Sequence, residues 1–392
     1  MSSSTRVHWG CVLLLAGSWA LPCVAQVEAT GPLTPSSNSE LYLRSQELIQ
    51  EFAHRGLSFS GQFVQDWSRE WHDPDSPPSG FGRYSVDLLL ALDGQKALGW
   101  KGASGLVRLK QHINEFGFGD EDARQLYSNI DAPSRTTLYE FFLEQRLDGD
   151  SVRVKGGRID ANSEFAVVES AGDFLNSSMG YSPTIVAFPT YPEPKLGLGV
   201  FWKPRRNYSV NLGVFQTAGW GTLAIVEPVW RWRTTNDREG RASVGYWRLD
   251  GAFSRWDGTR ATTTQGVYVV AEQLLWRRAL RQGGGERGLA GFLQLGKASR
   301  EVSSFASHVG GGFVFRAPWA RRPHDSLGVA ATWVRLCPEV AMTPSSELVW
   351  EVYYRVSLSR KVAFLEDLQY VHHPAFAESN QPVATSRLVV SF

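Results

Sequence analysis

The chain has 392 residues, which suffices for one large or two ordinary domains, and its 40 basic and 39 acidic residues give a net charge of +1. Proteins that hold nucleic acid through phosphate contacts are usually more basic, so this class is disfavoured. After the N-terminus there is no apolar run of about 18 residues, which argues against helical membrane spans. The 15 Trp, 12 Tyr, 21 Phe and 38 Gly are atypical of a soluble helical enzyme.

Residues 1–25 have the pattern of a secretory signal peptide. Arg6 precedes an apolar run that starts at Cys11, and Cys23 and Ala25 are small residues at the positions that signal peptidase reads. We expect cleavage after Ala25. Cys337 is then the one cysteine left, so no intramolecular disulfide can form. An exported chain without disulfides is typical of the bacterial outer membrane.

Residues 26–56 are predicted to form a spacer followed by a short helix. A Pro- and Ser-rich stretch ends at Ser39, after which apolar residues recur with helical spacing from Leu41 to Phe52. Gly56 stands where a C-terminal cap is expected.

From residue 57 onward the apolar period drops to two, which predicts strands. In the segment 137–147, for example, Tyr139 and Phe141 are predicted to lie on one face, with Glu140, Glu144 and Arg146 on the other. The pattern predicts 16 strands, near 57–67, 84–94, 103–113, 137–147, 151–159, 195–203, 208–216, 225–234, 242–250, 265–277, 288–298, 305–315, 327–337, 348–358, 362–372 and 383–392. Two long gaps, 114–135 and 160–194, are predicted to be functional loops.

Alternating strands of about 10 residues suit either a soluble β-sandwich or a membrane barrel. The barrel is favoured because one face carries charges strand after strand, which a sandwich core could not bury unpaired. The other face carries tryptophans, as expected of interfacial girdles: Trp67, Trp202, Trp230, Trp232, Trp276, Trp333 and Trp350. The chain also ends on Phe392 after an alternating strand. The fold class predicted is therefore all-β, a 16-stranded antiparallel transmembrane barrel spanning residues 57–392.

Several stretches resemble the OprB family of carbohydrate-selective porins. They are spread in the family's order over most of the chain: 92–100, 156–165, 173–178, 245–251, 325–330, 351–354, 367–374 and the terminal Ser391-Phe392. Two features of many members differ here: a Trp-Gly-Gly motif is missing before Leu41, and 364–366 lacks a proline. The resemblance implies a periplasmic helix, a barrel in the outer membrane of a Gram-negative bacterium, and facilitated diffusion of sugars such as glucose. It implies no catalysis and no cofactor.

A sugar channel needs hydrogen-bonding charges and aromatic rings on its inner wall. The candidate channel-lining residues are Arg108, Lys110, Glu140, Glu144, Arg146, Arg153, Lys155, Arg158, Asp160, Asn162 and Glu164. If the loop 160–194 folds into the lumen, Phe165, Phe174 and Asn176 are expected to help form the constriction. The alternative is that each of these charges is solvated in the lumen and contributes only to the electrostatic field of the channel.

The predicted partners are mono- or oligosaccharides, outer-membrane lipid and, through Phe392, the barrel assembly machinery; nucleic acid is not expected. Both a monomer and a homotrimer are compatible with the sequence. A general-diffusion porin, a barrel-borne hydrolase and a soluble glycan-binding β-protein are the alternative functions. No metal site is predicted, and the rings of His372 and His373, adjacent at a strand end, are expected to point to opposite faces.

Overall fold

The computed structural model describes residues 50–71, 79–114, 123–219, 221–279, 286–337, 345–375 and 379–392. Within these ranges the chain forms 16 strands, and each of the 16 predicted segments overlaps one of them. The strands are β1 (Leu57–Glu70), β2 (Ser79–Asp93), β3 (Ala103–Asn114), β4 (Arg135–Leu147), β5 (Val152–Ile159), β6 (Lys195–Arg205), β7 (Tyr208–Gln216), β8 (Thr222–Arg233), β9 (Glu239–Ser254), β10 (Arg260–Ala279), β11 (Glu286–Ala298), β12 (Phe305–Arg316), β13 (Ser326–Leu336), β14 (Ser346–Ser357), β15 (Val362–His372) and β16 (Gln381–Ser391).

The strands form one closed antiparallel barrel, as predicted. Each strand pairs with its neighbours in the chain, and β1 pairs with β16, where Asp66 lies opposite Arg387. Closure leaves no strand edge, so the ladder satisfies the backbone hydrogen bonds that a lipid environment could not. Phe392 completes the seam, because its N–H and C=O both hydrogen-bond to the backbone of Gly61.

Side chains are sorted between the two faces of the barrel. Asp66, Glu227 and Glu351 are buried on the inner face, whereas Phe59, Leu143 and Leu368 are exposed on the outer face. Six of the seven predicted girdle tryptophans are exposed outside, and Trp333 is half-buried on that face. An apolar outer face and a charged interior are the arrangement expected of a barrel whose solvent outside is lipid.

A bulge in β4 overturns one detail of the predicted faces. The register shifts so that Arg108 lies opposite Glu140 while Leu109 lies opposite Leu138, which leaves Tyr139 as an extra residue. Tyr139 therefore turns inward beside Glu140 and is buried, instead of sharing the outer face with Phe141. A bulge places two successive side chains on one face, and strict alternation cannot anticipate it.

The predicted helix and histidine pair have mixed outcomes. Residues 50–54 are helical and Gly56 has φ 81°, consistent with a C-terminal cap; residues 41–49 and the predicted signal peptide lie outside the described residues. No helix among the described residues is both long and apolar enough to cross a membrane. The prediction for His372 and His373 is wrong: their rings stack with centroids 3.9 Å apart, because His373 leaves the strand at φ 55°.

The two ends of the barrel differ. At the terminal end, where Gly56 and Phe392 lie, connections such as 206–207 and 358–361 are short. At the opposite end, here called the loop end, the connections include 115–134 and 160–194. In bacterial barrels the short turns are periplasmic and the longer loops extracellular.

Candidate functional site

The loop between β5 and β6, residues 160–194, lies inside the barrel and is called the inner loop below. It contains two 3-10 turns, Ala161–Ser163 and Glu169–Ala171, and one short α-helix, α1 (Ser177–Gly180). Asp160 and Asn176 cap the first turn and α1 through their side chains. The loop is thus locally ordered before it contacts the wall.

Two phenylalanines fix the inner loop to the wall. Phe165 packs against Phe201 and Phe215, with ring centroids 5.8 Å away in both cases. Phe174 makes edge-to-face contacts with Phe292 at 5.7 Å and with Tyr353 at 4.8 Å. Such aromatic pairs add about 0.5–1.5 kcal/mol each beyond the burial of area.

Inner-wall glycines make room for these rings. A Cβ at Gly213 would lie 2.7 Å from the ring of Phe165, and a Cβ at Gly328 would lie 2.8 Å from that of Phe174. Both distances are below van der Waals contact, so a larger residue would displace the ring. The loop approaches the sheet this closely because the wall lacks side chains there.

Wall carboxylates hold the backbone of the inner loop. Glu140 accepts a hydrogen bond from the N–H of Asp160 at 2.9 Å, Glu227 from that of Ala166 at 2.8 Å, and Glu272 from that of Ser170 at 2.7 Å. Glu351 accepts from the N–H groups of Leu175 and Asn176. Each of these bonds satisfies a backbone donor of the loop, and four strands therefore share the anchoring of one loop.

Residues 123–134 of the second long loop also pack inside the barrel. Glu347 accepts hydrogen bonds from the N–H groups of Arg124 and Gln125 at 3.0 and 2.8 Å. Ser128 donates to Asp66, which forms a bidentate pair with Arg387 at 2.6 and 2.7 Å. Both loops predicted to be functional therefore narrow the lumen.

Five of the predicted residues form a continuous chain of charges along β4, β5 and the inner loop, called the charge ladder below. Glu144 binds Arg146 at 3.2 Å and Arg153 at 2.9 Å. Arg153 forms a bidentate pair with Glu164 at 2.6 and 3.0 Å, and Lys155 binds Glu164 at 2.8 Å. Burial alone would raise the pKa of the Glu164 carboxyl, but the hydrogen bond from Arg153 and the charges of Lys155 and Arg153 outweigh it and lower that pKa.

Three more predicted residues form a second group toward the loop end of β3 and β4. Arg108 binds Asp87 at 2.8 Å and Glu140 at 3.3 Å, while Lys110 binds Asp87 at 3.1 Å. Tyr139, brought inward by the bulge, lies beneath both cations and donates to Asp160 at 2.5 Å. Asp87 and Tyr139 were not among the sequence candidates.

A cavity of about 400 Å³ lies beside the charge ladder. Small-molecule sites in proteins occupy about 300–1,000 Å³. Its walls combine cations, carboxylates and one aromatic ring, and are formed by Arg146, Asp150, Arg153, Ser163, Glu164, Val167, Glu169, Phe201, Lys203, Ser209, Asn211, Val229, Arg231 and Arg241. The guanidinium of Arg153 lies 3.8 Å from the ring centroid of Phe201, so a charged donor and an apolar face are adjacent.

The other predicted residues lie apart from this cavity. Asn162 donates to the carbonyl of Phe165 within the inner loop. Phe165, Phe174 and Asn176 are almost fully buried, so they hold the loop in place rather than present a surface to the lumen. Arg158 lies opposite Phe141 and Leu196, which are exposed outside, and the register therefore places it on the outer face instead of the predicted inner one.

Sequence reasoning missed several residues of the inner wall. Arg231 and Arg241 lie opposite each other on β8 and β9 and line the cavity. The alternation of Trp230, Arg231 and Trp232 was a usable signal, because the charge must face away from two lipid-facing rings. The loop-anchoring role of Glu227 and Glu272 had no sequence signal, since it depends on a loop that is distant in the chain.

Among the described residues no group of three or more His, Cys, Asp and Glu side chains is arranged to hold a metal ion. The charges of the charge ladder are paired with one another, and the carboxyl groups that hold the inner loop bind its backbone N–H groups. The site therefore presents a fixed set of hydrogen-bond donors and acceptors around the 400 Å³ cavity.

Comparison with known proteins places the chain in context. The model of the OprB family of carbohydrate-selective porins matches residues 86–219 and 221–392 of this chain. The high-pH structure of Pseudomonas putida OprB is similar with a TM-score of 0.78 at 18% identity, covering 88% of this chain and 96% of that one. The low-pH structure of the same protein gives 0.60 at 19% identity, covering 89% and 96%. Pseudomonas aeruginosa OpdQ gives 0.51 at 11% identity, covering 86% and 98%. No curated protein sequence matches significantly.

Proposed function

Because this chain belongs to the OprB family of carbohydrate-selective porins, we propose that it passes sugars by facilitated diffusion through a water-filled lumen that the inner loop narrows. The observation that carries the proposal is the charge ladder beside the 400 Å³ cavity. Its carboxylates and cations are fixed by one another before a ligand arrives. They therefore offer sugar hydroxyls donors and acceptors without a large cost of ordering side chains.

The cavity suits a sugar in two further respects. The guanidinium of Arg153 stacks on the ring of Phe201, which fixes this hydrogen-bond donor at the cavity wall. The side chain of Arg146 is 53% exposed and that of Arg231 is 52% exposed, so both can bind a passing solute and release it. Conduction requires binding that is favourable but weak.

We also propose how the chain is exported and in which membrane it resides. Residues 1–25 act as a cleaved signal peptide, and the short helix that ends at Gly56 lies on the periplasmic side. The barrel then resides in the outer membrane, where Phe392 is the contact for the assembly machinery. Phe392 suits this role because its ring lies exposed at the terminal end, over Gly61.

Planar-bilayer recordings of the purified chain test the function. We expect ion conductance that falls in a saturable way as glucose or a maltose oligomer is added. The double variant Arg146→Ala/Arg153→Ala should weaken this block, whereas Arg321→Ala, in the turn after β12, should not. Conductance that no sugar reduces would favour the alternative, a general-diffusion porin, and a non-conducting barrel would refute both.

A further inference from the structure

The outer face of the barrel carries a row of polar residues at the loop end of four adjacent strands. In register these are Lys297 on β11, Ser307 on β12, Arg335 on β13 and Ser346 on β14. Lys297 and Arg335 are exposed, and the two serines are half-buried. The row therefore alternates a cation with a hydroxyl across four strands; we call it the cationic row.

The next outward-facing row toward the middle of the barrel is apolar. It consists of Leu295, Val309, Trp333 and Leu348, paired in the same order across the same strands. Leu295 and Val309 are exposed, and Trp333 is half-buried. The surface thus changes from charged or polar to apolar within two residues along each strand, and Trp333 lies at the boundary, as tryptophan does at membrane interfaces.

Lys297 and Arg335 differ from two other cations that are exposed outside the lumen near the loop end. Arg248 on the outer face binds Asp250 at 2.9 Å, and Arg255 in the β9–β10 loop binds Glu301 at 2.7 Å. Within the described ranges neither Lys297 nor Arg335 forms an ion pair. On the outer face of the barrel, both side chains therefore place a positive charge that has no ionic partner among the described residues.

The spacing of the two cations suits a phosphate. They are separated by one strand, which puts their Cα atoms about 9–10 Å apart. Both side chains are long and flexible enough to converge on one group between them, where the hydroxyl of Ser307 adds a donor. Lysine and arginine are the residues that proteins use for phosphate, and long basic side chains reach from an apolar surface toward the headgroup level.

We propose that the cationic row binds the phosphate of a phosphorylated lipid headgroup in the extracellular leaflet. The acyl chains of that lipid lie along the apolar row below. A lipid is favoured over a soluble anion because charge and apolar surface adjoin on the same four strands. The loop end is the extracellular side by the length of its connections. This site is separate from the sugar pathway, since it faces away from the lumen.

The test measures lipid binding to the full chain in detergent by native mass spectrometry. The probe is a bisphosphorylated, glucosamine-based lipid, compared with the same lipid after enzymatic removal of its phosphates. The test variant is Lys297→Gln/Arg335→Gln. The matched control, Arg321→Gln/Lys361→Gln, removes the same charge from exposed turns at the terminal end.

We expect the test variant to bind the phosphorylated lipid about thirtyfold more weakly, because each basic residue near an anionic lipid surface contributes about fivefold. The control should bind like the unmodified chain, and so should Lys297→Arg/Arg335→Lys. The dephosphorylated lipid should bind the unmodified chain and the test variant equally weakly.

Three outcomes would overturn the proposal: equal binding by the test variant and the control, equal binding of the two lipids, or equal retention of inorganic phosphate and the lipid. Heat-modifiable migration on gels establishes that each variant has folded. Because all four substitutions are at exposed positions, loss of the fold is not expected.

Discussion

Removal of one ring should release the inner loop. The side chain of Phe174 is 1% exposed and contacts Phe292 and Tyr353 edge to face. Truncating a buried phenylalanine to alanine costs about 3–5 kcal/mol. The inner loop has no other aromatic anchor on this side of the barrel among the described residues, so we assign this cost to loop docking rather than to the barrel.

A loss of about 3 kcal/mol raises the population of the undocked loop more than 100-fold, at 1.4 kcal/mol for each factor of ten. The loop contains no Lys or Arg but has Phe165 and Tyr181, neither of which is followed by proline, so chymotrypsin is the suitable probe. We expect Phe174→Ala to be cleaved after these residues much faster than the unmodified chain. Its single-channel conductance should rise and become noisier, with weaker block by sugar.

The matched control is Phe59→Ala, because Phe59 is 54% exposed on the outer face. It should leave both the cleavage rate and the conductance unchanged. Unchanged cleavage and conductance in a folded Phe174→Ala barrel would show that the aromatic contacts do not hold the loop.

Three further predictions concern the lumen and the lipid face. Glu164→Gln removes the carboxylate shared by Arg153 and Lys155, so reversal potentials under a salt gradient should shift toward anions, and a shift toward cations would contradict the charge ladder. The contribution of this carboxylate to loop docking should be complete above its ordinary pKa of 4.5 and be lost as the pH falls through its lowered pKa. Sugar block recorded from pH 7 to 3 should therefore decline only at the acid end, and Glu164→Gln should lack this part of the decline. Phe141→Asp places a charge on the lipid face at a cost of about 2 kcal/mol and should reduce insertion into liposomes, whereas Ser209→Asp, beside the cavity, should insert normally.

The barrel could be predicted because each strand has an apolar period of two, and because a sheet surrounded by lipid must close to satisfy its backbone hydrogen bonds. The bulge at Tyr139 could not be predicted, because it depends on how β3 and β4 pair. The ionic partners Glu144 and Arg153 could be predicted, since both lie at inward positions of paired strands. Their link to Glu164 required the fold of the loop.

The errors have different physical causes. Arg158 lies within β5, where strict alternation from the inward Arg153 and Lys155 already places residue 158 on the outer face; the prediction grouped it instead with the residues of the loop. Gly157, at φ 141°, lies close to the backbone of Phe141 and Phe142, but β5 keeps its register with both neighbouring strands there. Alternation therefore gives the correct face as far as Arg158 in β5, whereas the bulge at Tyr139 breaks the alternation in the middle of β4.

The carboxyl groups that anchor the inner loop accept hydrogen bonds from its backbone N–H groups. These hydrogen bonds do not depend on which side chains the loop carries. Glu227, Glu272 and Glu351 would receive any loop whose N–H groups reached the same points. The barrel is therefore a scaffold that could accept a loop of different composition at the exposed positions, provided that Phe165 and Phe174 are kept. Redesign of the pore for another solute could begin by exchanging the exposed residues of the loop while leaving the wall untouched.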